Sequence, residues 1–82
     1  MPTVLKFAGL RAVIYPNDHR PAHVHVIGND CSAVFIMNCP DGPPELRENR
    51  GFGEAELGRI ARSLNDARKG ICEAWSRIHG NF

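Results

Sequence analysis

Eighty-two residues, 43% apolar and 23% charged, specify one domain spanning 1–82. Its core is small, because a chain of this length buries only about 60–65% of its unfolded surface. The composition excludes disorder, and a net charge of +1 speaks against a dedicated nucleic-acid binder, which carries a pronounced basic excess. No apolar run reaches the roughly 18–20 residues of a membrane span.

The chain begins Met1-Pro2-Thr3-Val4-Leu5-Lys6, without the charged start and long apolar centre of a signal peptide, so a cytoplasmic protein with no membrane partner is expected. Thr3 to Phe7 reads as a first strand and Leu10 to Tyr15 as a second, joined through Ala8-Gly9 as a tight hairpin. Pro16 cannot donate to a ladder and ends the second strand. The polar loop Asn17-Asp18-His19-Arg20 leads to Pro21, which favours extended geometry before it. His23 to Ile27 alternates as a third strand, with His23, His25 and Ile27 on one face and Val24 and Val26 on the other. Gly28-Asn29-Asp30 turns the chain into a fourth strand, Cys31 to Asn38, apolar on both faces. A proline-rich loop follows, then a short fifth segment over Glu45 to Asn49 with Leu46 inward.

The last third reads as one helix, Glu54 to His79. Gly53 is an acceptable N-cap, Glu56 stands at the third position, and Phe52 can staple onto Leu57. Leu57, Ile60, Ala61, Leu64, Ala67, Ile71, Cys72, Trp75 and Ile78 form one apolar stripe, and Gly80 supplies the stop. At ~1.5 Å per residue such a helix would be ~39 Å long, so it must cross its sheet or overhang it. The expected fold is α+β: a small antiparallel sheet of four to five strands with one long C-terminal helix on one face. Cys31, Cys39 and Cys72 are odd in number and irregularly spaced, which favours small buried thiols.

His23 and His25 share a strand face about 6–7 Å apart, from the strand rise. That spacing suits an acid/base pair acting on a phosphate, with Tyr15 and Arg68 as further catalytic candidates. It equally suits a metal site with His19 as third ligand, and Asp18, Tyr15 and Cys31 are further candidates for the third group. No cofactor is called for by the rest of the chain, and a divalent ion such as zinc is the one the histidines would take. Two solvated imidazoles bonded to neighbours are the simplest alternative. The histidine-triad signature of nucleotide hydrolases is similar at two positions and departs at Ile27, where its third histidine would stand. Arg68 interrupts the helical stripe; its stem can pack while the guanidinium pairs with a carboxylate such as Glu45, or it can bind an anion beside the histidines. Arg47, Arg50, Arg59 and Arg62 interleave with Glu45, Glu48, Glu54 and Glu56, which reads as a solvated mixed-charge surface.

Met1-Pro2-Thr3-Val4-Leu5, Pro21-Ala22-His23-Val24-His25-Val26, Asn49-Arg50-Gly51-Phe52 and Glu73-Ala74-Trp75 occur in this order. The chain so resembles the small bacterial proteins grouped as domain of unknown function 4160. Ala22 departs from that pattern, which has a second proline there. The resemblance implies one half of a two-gene, toxin–antitoxin-like module, partnered by a cognate small protein from the adjacent gene or by a second copy. Two readings of function follow: a non-enzymatic interaction protein, or a small His-dependent ribonuclease or phosphoester hydrolase.

Overall fold

The computed structural model describes residues 3–80, so Met1 and Pro2 of the N-terminal motif lie outside the described residues. Five strands form one antiparallel sheet in chain order: β1 (Thr3–Phe7), β2 (Leu10–Val13), β3 (His23–Ile27), β4 (Ser32–Ile36) and β5 (Glu45–Arg50). Two helices follow, α1 (Glu54–Asp66) and α2 (Arg68–His79). The α+β class and the antiparallel sheet are as expected, and the fifth strand is present.

Each short connection leaves the next strand beside the last, so the sheet is a plain meander. Ala12, Val26 and Ala33 align across β2, β3 and β4, and one residue along, Val13, His25, Val34 and Glu48 align as far as β5. Side chains alternate along a strand, so the first row belongs to the apolar core and the second carries the histidine. The core joins Ala12, Ile14, Val24, Val26, Phe35 and Met37 to the helical stripe of Ile60, Leu64, Ile71, Cys72 and Trp75.

The single long helix is corrected to two. The helix breaks at Ala67, whose φ of −98° and ψ of 7° depart from helical values. Backbone bonds still cross the break, Ala67 N–H to Ser63 O at 3.1 Å and Ile71 N–H to Ala67 O at 3.0 Å. Asn65 and Asp66 weaken this turn, because short polar side chains compete for backbone groups. Arg68 then anchors the junction, with Nε donating to Pro40 O at 3.0 Å and its guanidinium to Asn65 Oδ1 at 2.6 Å. The longest extent of the fold is 33 Å, and Ile78 packs onto the core, so of the two alternatives the helical end does not overhang.

The cysteine reading is also corrected. Cys39 and Cys72 form a disulfide across 33 residues, and Cys31 remains the free thiol. Sequence spacing cannot give such connectivity. The bond ties the loop after β4 to α2. Gly42 packs at the same place with φ +71°, and a Cβ there would lie 2.7 Å from Arg68 Cδ. A larger residue there would be strained in that conformation and would push the Arg68 side chain aside.

The Asn49-Arg50-Gly51-Phe52 motif now has a physical account. Asn49 Oδ1 accepts the Phe52 N–H at 3.1 Å and its Nδ2 donates to Phe52 O at 3.0 Å. Gly51 takes φ +95°, and Phe52 is delivered into the core. Gly53 N–H then donates to Glu56 Oε1 at 3.3 Å, one half of a capping box that starts α1. Leu46 is corrected from inward to outward: β5 is exposed at all six residues, and Leu46 is 44% exposed. A register irregularity between Val34 and Phe35 leaves Arg47 unmatched in β5, and this edge strand lies beyond the helices' cover.

Candidate functional site

The loop between β2 and β3 builds the site. Strand β2 stops at Val13, two residues before the expected end, because Tyr15 turns its backbone to Asp18. The Tyr15 N–H donates to Asp18 Oδ2 at 3.1 Å, and the Asp18 N–H donates to Tyr15 O at 3.0 Å. This closed turn carries the Asp18 carboxylate onto the histidines of β3.

His25 Nε2 lies 3.3 and 3.2 Å from the two Asp18 oxygens, and His23 Nε2 lies 3.5 Å from Oδ2. His23 Nδ1 is 2.8 Å from Pro21 O. A carbonyl only accepts, so Nδ1 carries the hydrogen and Nε2 of the neutral ring presents its lone pair. His23 is buried, while the His25 side chain is 27% exposed. Of the two rings, His25 is the more open to solvent.

The rings form a continuous series. Tyr15 meets His25 edge-on at 4.7 Å, His25 meets His23 at 5.2 Å, His23 meets Trp75 at 5.2 Å, and Trp75 meets His79 at 4.1 Å. Aromatic packing thus fixes both histidines from the β2–β3 loop through to α2. An open cleft of about 290 Å³ adjoins them, lined by His23, His25, Val34, Arg47 and Glu48.

The structure brings Tyr15, His23 and His25 together, and of the candidates for a third group it places Asp18 between the histidines. His19 is exposed and stands outside the cluster, where its neighbour Asp18 takes the third place. Arg68 bonds Pro40 O and Asn65 Oδ1 rather than Glu45, and it is not among the residues that line the histidine cleft. Arg47 and Glu48 reach the histidine cleft, a placement that only the β4–β5 register reveals.

Residues 9–76 match the family described as a domain of unknown function, DUF4160. The chain belongs to DUF4160. The DUF4160 match contains Tyr15, Asp18, His23, His25, Arg47, Glu48 and both cysteines of the disulfide. No curated protein matches the chain, and no solved structure does. Among the described residues, no helix is long and apolar enough to cross a membrane.

Proposed function

We propose that this chain is one half of a toxin–antitoxin-like two-protein module and that it docks its cognate partner along β5. The observation that carries the reading is the state of that strand. Strand β5 lies at the sheet edge, pairs with β4 alone, and exposes all six residues. Such an edge presents unpaired backbone groups to an incoming strand. Its sequence, Glu45-Leu46-Arg47-Glu48-Asn49-Arg50, adds charges that select a partner and suppress self-pairing. Leu46 is the exposed large hydrophobic among the described residues and supplies an apolar anchor. The partner is therefore an extended segment with complementary charges and a pocket for one leucine.

Co-expression with the neighbouring gene's product is expected to give a complex stable on size exclusion, lost in Leu46→Asp. Leu46 is exposed, so that variant keeps its fold. Two independent monomers, or a complex indifferent to Leu46→Asp, would refute docking along β5.

A second reading is favoured by the Asp18–His25 contact. The carboxylate orients the solvent-reaching imidazole as a general acid or base, and Arg47 supplies a cation in the same cleft. The matching activity is cleavage of RNA or another phosphoester. His25→Ala is expected to lower it about a hundredfold or more while circular dichroism stays unchanged. Wild-type protein that leaves RNA and model phosphodiesters intact would end this reading.

A further inference from the structure

We propose that Asp18, His23 and His25 form a binding site for a divalent transition-metal ion, and that zinc is the ion the donors fit. The site shares residues with the hydrolase reading but does not depend on it. Its test reads metal binding, so a metal-free protein would overturn it and leave metal-independent acid–base cleavage standing.

Three donor atoms converge, one from each side chain, all within 4.8 Å of one another. Around a tetrahedral ion with bonds of about 2.0–2.1 Å, donors stand about 3.3–3.4 Å apart. Asp18 Oδ2 lies 3.2 Å from His25 Nε2 and 3.5 Å from His23 Nε2, on either side of that spacing. A modest rotation of the imidazoles closes the rest. Two imidazoles and a carboxylate are a borderline donor set, matched to zinc and its first-row neighbours rather than to calcium or magnesium.

A second observation points to a cation independently of the count. Pro21 O holds the hydrogen of His23 on Nδ1, so the Nε2 lone pair faces a carboxylate oxygen at 3.5 Å. Two lone pairs in that arrangement repel unless a proton or a metal ion stands between them, and the metal ion alone can engage His25 Nε2 as well. An ion bound by both replaces the repulsion with two bonds. His25 joins by carrying its ring hydrogen on Nδ1, which frees Nε2.

The supporting shell is already in place. Pro21 O orients His23, the Tyr15 N–H holds Asp18 Oδ2, and the Tyr15 ring fixes His25 from its edge. Bonds of this kind orient ligands in metal sites. Three protein donors leave a fourth position, and the neighbouring cleft opens there toward Arg47 and Glu48.

The experiment uses untagged, disulfide-intact protein, stripped with chelator and titrated with zinc chloride by calorimetry. One ion per chain is expected. Asp18→Asn and His25→Ala should each weaken binding about a hundredfold or more, while His19→Ala and Cys31→Ser leave it unchanged. Asp18→Asn keeps the side-chain shape, so it reads the charge even if His25→Ala fails to fold. Cobalt in place of zinc is expected to give the visible spectrum of tetrahedral nitrogen and oxygen ligation. Absence of saturable zinc binding would overturn the proposal. So would binding that survives Asp18→Asn, or binding that His19→Ala or Cys31→Ser removes.

Discussion

Trp75→Ala is expected to unfold most of the domain. Trp75 is fully buried and its ring touches those of His23 and His79. Truncating a buried Trp costs about 3–5 kcal/mol. A domain of this size holds about 4–12 kcal/mol in total, so the loss removes a large share of it. The melting temperature should fall by about 12–40 °C, at about 4–8 °C per kcal/mol. Far-UV circular dichroism reads the change, since the variant has no other tryptophan to report by fluorescence. Leu46→Ala, on the exposed strand, should shift stability by less than about 0.5 kcal/mol. A Trp75→Ala protein within about 1 kcal/mol of wild type would mean that Trp75 does not hold the core.

Removing the disulfide is the second large effect. Closing a loop of 33 residues' separation restricts the unfolded chain and is worth about 3–4 kcal/mol in the chain-entropy account. The double variant Cys39→Ser with Cys72→Ser should therefore melt well below wild type, and reduction of wild type should match it. Denatured oxidised protein should take one alkylating label, at Cys31, and reduced protein three. Three labels without reductant would show that the bond does not form. The disulfide also bears on the expectation of a cytoplasmic protein, because reducing compartments keep most thiols free. There, Arg68 on Pro40 and the packing of Gly42 would hold the loop without the covalent bond.

Period and punctuation made much of the fold legible. Alternation placed β3, a run apolar on both faces placed β4, and the stripe from Leu57 to Ile78 named the helical core residues, while β2 ends two residues short of the limit that Pro16 sets. What escaped was non-local. The stripe keeps its register through Ala67, because backbone bonds cross the break, and so the sequence pattern hides it. The pairing of Cys39 with Cys72 depends on where the loop after β4 lands, which no spacing states. Leu46 reads as inward by hydrophobicity, but an edge strand beyond the helices has nothing to bury it against.

The site was half legible. The same-face placement of His23 and His25 follows from a period of two. Choosing Asp18 over His19 as the third group needed the Tyr15–Asp18 turn, which aims one of two adjacent side chains inward. Arg47 and Glu48 looked like solvated charge because their link to the histidines runs through the register of β5 on β4.

The most direct test is amide hydrogen exchange of this protein alone and with its cognate partner. Protection that rises across Glu45–Arg50 on complex formation is the expected result, since an added strand would take up the outer backbone groups of β5. A complex that forms with β5 exchanging as fast as in the free protein would contradict docking along that edge.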